Sequence, residues 1–215
     1  MKFSERLKAS LLFRSRKIRQ SVYKVIGLGA RKPLQVADQN IVDGLLKDGA
    51  YVTHLDELAI NGIDGSNLLL NWAQPLLQDF PEPEGEKSYV AHTPEDTVID
   101  FPDALLWGLQ ERILSIVENY IGLPVIYRGL NVRLDKADGT QLETRCWHRD
   151  AEDTRIVKII VYLNDVGLND GPFIYVSKLH SSALKNVKFE NDRVPNAKMD
   201  SLVDKSLQIS VVGRK

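Results

Sequence analysis

The sequence predicts an α+β chain, helical in its first half, with antiparallel strands in its second half that form a sandwich or roll. Apolar residues recur at steps of three, four or seven as far as Ile121, the spacing of one helix face. From Leu130 onward they alternate with polar residues instead, the spacing of a half-buried strand. With 215 residues, 43% of them hydrophobic, the chain can bury one sizeable core beside a short appendage, and it shows no internal repeat.

The appendage comes first. Residues 1–32 hold ten of the 28 basic residues and one of the 29 acidic ones, a net +9, which leaves −10 on residues 33–215. Phe3, Leu7, Leu11, Ile18, Val22 and Val25 form one apolar stripe, and Arg6, Arg14, Arg16, Lys17 and Arg19 fall mostly off it. Gly27-Leu28-Gly29 and then Pro33 stop the helix. Residues 1–26 therefore read either as a basic amphipathic helix for an anionic membrane or acidic partner, or as a helix that packs its stripe on the parent domain. A targeting peptide is a third reading, opposed by Glu5 and by the lack of a small-residue cleavage site.

Within the domain, Asp38-Gln39-Asn40 offers caps for a helix over 41–47 that Gly49 closes, and 50–55 reads as a strand. A helix over 66–77 carries Trp72 and Leu76 and contains Pro75. The clearest helix starts after Asp100 with Pro102 near its first position, carries Leu105, Leu106, Leu109, Ile113, Val117 and Ile121, and ends at Gly122 and Pro124. Leu130, Val132 and Leu134 then alternate with Asn131, Arg133 and Asp135 as a strand. Residues 155–164 are β-rich, 173–176 and 207–212 read as further strands, and 184–204 is a long polar excursion, either a lid or a surface loop.

Several classes are excluded. The longest apolar runs, 68–77 and 156–163, fall short of the ~20 residues needed to span a bilayer, and Asn71, Pro75 and Lys158 interrupt them. No uninterrupted apolar segment can serve as a secretory signal. The single cysteine, Cys146, excludes a disulfide framework and a Cys-based zinc cluster, so a reducing, cytoplasmic setting is expected, membrane-peripheral if the arm binds lipid. Nucleic acid is not an expected partner, because the basic charge sits on the arm and not on the fold.

The chemistry-bearing stretch is Arg145-Cys146-Trp147-His148-Arg149-Asp150. His148 and Asp150 are two apart, so on an extended backbone both side chains point to one face. An imidazole and a carboxylate side by side suit two adjacent corners of one metal ion. One more histidine would make the facial triad of non-haem Fe(II) oxygenases. By itself His-x-Asp is equally a hydrogen-bonded pair. Cys146 shares the even spacing, so a zinc trio with His148 and Asp150 is a rival reading, as is a cysteine nucleophile with His148 as base.

The order of the neighbouring motifs adds to this. Trp147-His148-Arg149-Asp150 is followed by Tyr162-Leu163-Asn164-Asp165-Val166, by Asn169-Asp170-Gly171-Pro172-Phe173-Ile174-Tyr175-Val176, and by Ser177-Lys178-Leu179-His180. Together with Leu45-Leu46-Lys47-Asp48-Gly49-Ala50-Tyr51-Val52, this run resembles the phytanoyl-CoA dioxygenase-like family of Fe(II)/2-oxoglutarate-dependent oxygenases, over roughly 40–55 and 124–212. The resemblance implies a double-stranded β-helix (jelly roll, cupin-like) core with N-terminal helices. It also implies a dioxygenase that hydroxylates a small organic or acyl substrate with Fe(II), 2-oxoglutarate as co-substrate and O2.

Carried over by position, His148 and Asp150 are the first two iron ligands, and no further catalytic residue is expected beyond the ligands. Asn131 and Arg133, on the strand before His-x-Asp, are the candidates to bind the co-substrate, with Lys158 as another carboxylate partner. The family's third ligand, a distal histidine, and the arginine that grips 2-oxoglutarate would lie beyond Lys215. The chain is therefore expected to be a fragment that lacks the last core strands, or a natural truncation. His180 aligns with a family histidine that is not a ligand, and His54 and His92 read as ordinary surface or loop residues. The non-enzyme alternative is a jelly-roll binding module without a complete metal site.

Overall fold

A computed structural model of the protein describes residues 32–58, 65–78, 89–93, 102–150, 155–184 and 193–213, with Ser21, Phe80 and Val187. Apart from Ser21, which is helical, and Lys32, the basic arm lies outside the described residues.

Helix α1, Val36–Asp48, begins more than a turn before the expected start and ends where Gly49 takes a left-handed φ of 81°. Asp38 does not cap it. Gln35 holds the cap position without a side-chain bond, and Asp38 sits within the first turn, buried, with its carboxylate given to Arg112 (Nη2–Oδ1 2.7 Å, Nε–Oδ1 3.0 Å). No strand forms over 50–55. A 3₁₀ turn, Leu55–Leu58, stands at its end, where the Thr53 hydroxyl donates to Glu57. Helix α2, Gly65–Gln78, accommodates Pro75 and turns Leu69, Trp72 and Ala73 inward at the spacing of one helical face.

The helix expected from Pro102 to Ile121 is two helices, α3 (Pro102–Trp107) and α4 (Glu111–Ile121). The break falls at Gly108, where Tyr127 packs against the backbone. A Cβ on Gly108 would lie 2.6 Å from the Tyr127 hydroxyl, and tighter three-residue bonds close α3 at this point (Leu109 N to Leu106 O 3.0 Å, Gln110 N to Trp107 O 3.2 Å). Ile113 and Ile116 of α4 join Val42, Leu69, Trp72, Ala73, Ala104, Trp107 and Val132 in one core. Val161 and Leu163 pack against it from the second half of the chain.

The strands form three antiparallel pairs among the described residues, and no closed barrel is present among them. β1 (Val90–His92) pairs with β2 (Arg133–Asp135), β3 (Trp147–His148) with β5 (Arg193–Val194), and β4 (Phe173–Val176) with β6 (Gln208–Val211). The fold is thus a mixture of helices and small antiparallel pairs. Residues 156–162, expected as a strand, make no ladder. They are tied to the rest by side chains: Arg155 donates to the Ile121 carbonyl at the end of α4 (3.1 Å), and the Tyr162 hydroxyl donates to Val211 O (2.9 Å) and accepts from Phe173 N (2.8 Å). A single bridge, Val166 to Gly213, lies beside β6.

The excursion over 184–204 is not a loose surface loop in its described part. It supplies β5, helix α5 (Asn196–Leu202) and the centre of a second core: Leu184, Val194, Met199 and Val203, against which Trp147 and Val176 pack. No helix among the described residues is long and apolar enough to cross a membrane.

Candidate metal centre

The site is built on β3. Trp147 pairs with Val194, which is completely buried, and His148 pairs with Arg193, so the second core anchors the strand that carries the imidazole. The approach to β3 is held by Arg145, whose side chain is 13% exposed. Its guanidinium donates to Tyr89 O (2.7 Å), to Lys136 O and to Asp138 Oδ1 (2.6 Å), and lies 4.9 Å above the Tyr89 ring. Two residues earlier, Glu143 adopts a φ of +45°, a backbone conformation that a non-glycine residue keeps only where its surroundings enforce it. The Asp138 carboxyl is held down at about 2, chiefly by the Thr140 amide and hydroxyl and further by Arg145.

Three of the residues singled out in the sequence come together. His148 Nδ1 lies 2.8 Å from the Cys146 carbonyl oxygen. A carbonyl only accepts, so Nδ1 carries the proton and donates. His148 Nε2 lies 3.6 Å from Asp150 Oδ1, too long for a hydrogen bond, so the ring does not donate to the carboxylate. Nε2 is therefore the ring nitrogen on the side of the carboxylate. Lys158 Nζ completes the group, 2.7 Å from the same Asp150 Oδ1. The side chains of His148, Asp150 and Lys158 are 25%, 35% and 50% exposed, so the cluster opens to solvent.

This geometry suits a metal. Two ligands at about 2.1 Å from one ion, set at 90° to 109°, lie roughly 3.0–3.4 Å apart. The observed 3.6 Å needs a closure of only a few tenths of an ångström, which side-chain torsions supply. A ligating histidine commonly donates its other ring N–H to a backbone carbonyl, which fixes the ring and its tautomer, and the Cys146 carbonyl has that position here.

The other candidates are engaged elsewhere. Asn131 Oδ1 accepts from His92 Nδ1 at 3.2 Å across β1 and β2. Arg133 forks onto Asp135, two residues along its own strand (Nε–Oδ2 2.6 Å). That pair is about 40% exposed on both sides, weak enough for an incoming carboxylate to compete for the guanidinium. Cys146 is buried and its thiol donates to Gln141 O (3.2 Å), so Cys146 Sγ is not aimed at His148 or Asp150 as the zinc and nucleophile readings require. His180 pairs with Ser177 (Nδ1–Oγ 3.0 Å). Among the described residues no three His, Cys, Asp or Glu side chains converge as a metal-holding group. Sequence reasoning missed the Cys146 carbonyl, because a backbone group leaves no signature in side-chain type. It also missed Arg145, whose pattern is that of any solvated arginine.

No protein-family model matches the chain, and no curated protein or solved structure matches it.

Proposed function

We propose that the full-length protein is an Fe(II)/2-oxoglutarate-dependent dioxygenase, similar to the phytanoyl-CoA dioxygenase-like family, that hydroxylates a small organic or acyl substrate. His148 and Asp150 are its iron ligands on this reading. The observation that carries it is the pair itself: the imidazole, oriented by its Nδ1 contact to the Cys146 carbonyl, brings Nε2 to 3.6 Å from a carboxylate oxygen. The chemistry such a centre supplies when loaded is decarboxylation of 2-oxoglutarate to succinate and CO2, coupled through O2 to conversion of a substrate C–H bond into an alcohol.

The chain's own residues have separable tasks. β3 and the Cys146 carbonyl aim His148 Nε2, and Asp150 supplies negative charge beside it. Lys158, and Arg133 once released from Asp135, are the cations for the two carboxylates of 2-oxoglutarate, with Asn131 as a neutral donor. The basic stripe over 1–26 would bring the domain to an anionic membrane or acidic partner inside the cytoplasm.

One observation favours a second reading, a non-catalytic jelly-roll binding module: the ligand carboxylate already holds a cation, Lys158. Succinate release separates the two. With Fe(II), 2-oxoglutarate and O2 supplied, the full-length protein releases succinate and its His148→Ala variant does not. Equal release by His148→Ala overturns the ligand assignment, and binding of 2-oxoglutarate without any release by the wild type favours the module.

A further inference from the structure

The Asp150 carboxylate has one oxygen doing two jobs. Oδ1 is the atom nearest His148 Nε2, at 3.6 Å, and the atom that Lys158 Nζ touches, at 2.7 Å. We propose that Lys158 is an internal cationic occupant of the His148–Asp150 pair, held on the carboxylate when no metal is bound and displaced by the metal as it arrives. This rests on the assignment of His148 and Asp150 as ligands and goes beyond it, because it makes metal loading a competition between two cations of the same site.

With Nδ1 donating to the Cys146 carbonyl, Nε2 is the ring nitrogen left for a metal, and it lies 3.6 Å from Oδ1. The positive charge that already lies on this oxygen is the Lys158 ammonium. A divalent ion bound to Oδ1 would sit within a few ångströms of the ammonium on the same oxygen. The two positive charges then repel, and the side chain must swing away. Lys158 can do so: its four-carbon stem has rotatable bonds throughout and its side chain is half exposed, so solvent can receive the head group. Arginine in this position would fork onto both carboxylate oxygens and resist displacement, whereas an ammonium is a point charge that does not fork.

The test uses the full chain and Mn(II) as probe, with free Mn(II) followed by electron paramagnetic resonance under anaerobic conditions. Lys158→Met and Lys158→Gln each remove the competing cation at similar length. Both should bind Mn(II) about three- to tenfold more tightly than wild type, and His148→Ala should lose the binding. A second readout needs no variant: saturating Mn(II) should raise the rate at which an amine-acylating reagent labels Lys158, measured by peptide mass spectrometry, with labelling of Lys32 as the internal standard. If the wild type binds Mn(II) through His148 but both Lys158 variants bind with unchanged or weaker affinity, the occupant proposal falls and the ligand pair stands. If neither wild type nor variants bind Mn(II), the ligand pair falls and the occupant falls with it.

Discussion

The tie between Asp38 and Arg112 offers the sharpest test of how the helical half is held. Asp38 is 95% removed from solvent, accepts three short contacts from the Arg112 guanidinium, and Arg112 gives a further bond to Glu57 O at 2.8 Å. Asp38→Ala removes the carboxylate from a mostly buried guanidinium. Breaking one side of a buried pair costs about 3–5 kcal/mol. Because the Arg112 side chain keeps 21% exposure and its bond to the Glu57 carbonyl, the lower end applies, about 3 kcal/mol. That is roughly a hundredfold in the unfolding constant. With a urea slope of about 2 kcal/mol/M, the midpoint should fall by roughly 1.5 M. Arg112→Met should cost as much or more, since it strands a carboxylate, and Asp38→Leu with Arg112→Met should cost clearly less than the two single changes added together. A midpoint shift below about 0.3 M for Asp38→Ala would show that water replaces the carboxylate and that the pair does not hold α1 to α4.

Three further outcomes are expected. The Asp138 carboxyl titrates at about 2 against an ordinary 3.8, so it lends the folded state stability at neutral pH that is lost as pH falls from about 4 through 2; Asp138→Asn should lower the unfolding midpoint at pH 7 and make no difference below pH 2, and equal midpoints at pH 7 would contradict the Thr140 and Arg145 contacts. A Cβ on Gly213 would meet Tyr162 Cδ2 at 2.6 Å, and the ring is pinned by its bonds to Val211 and Phe173, so Gly213→Ala should cost about 1–3 kcal/mol in urea unfolding, with no loss if the ring can yield. Met199, 2% exposed, should cost about 2–4 kcal/mol as Met199→Ala, whereas a lid residue would leave global unfolding untouched.

What the sequence made legible is what local pattern encodes. Gly49 and Gly122 end α1 and α4 with φ of 81° and 77°, as their place after each periodic run implies. Strands over 173–176 and within 207–212 are present and pair with each other. The misreadings have non-local causes. Asp38 has the composition of a cap, but a basic residue 74 positions away claims its carboxylate. Gly108 breaks a helix because Tyr127 packs against its backbone, a contact invisible to helical periodicity. The residues over 184–204 look polar on average, yet Val194, Met199 and Val203 are spaced to meet Leu184 and Trp147 once the chain turns back. At the site, the spacing of His148 and Asp150 marked the pair correctly as neighbours, while the presence of Lys158 on the same carboxylate oxygen depends on how 155–164 is laid down, which alternation alone left open between two faces.

The end of α1 is finished by a residue made long afterwards. Lys178 donates its backbone N–H to Asp48 O (2.7 Å) and its ammonium to Leu46 O (2.9 Å), across a separation of 132 residues. On a ribosome adding roughly 5–20 residues per second, those carbonyls wait on the order of ten seconds for their partner. During that interval the first helices can gather around Trp72 and Trp107, but the terminus of α1 stays solvated and its junction with the later strands unmade. Closing so long a loop carries an entropic cost that only the assembled second core repays, which places this joint among the last events of folding. A nascent chain stalled before residue 178 should therefore hold a protease-sensitive 46–55 segment, and release of the full chain should protect it.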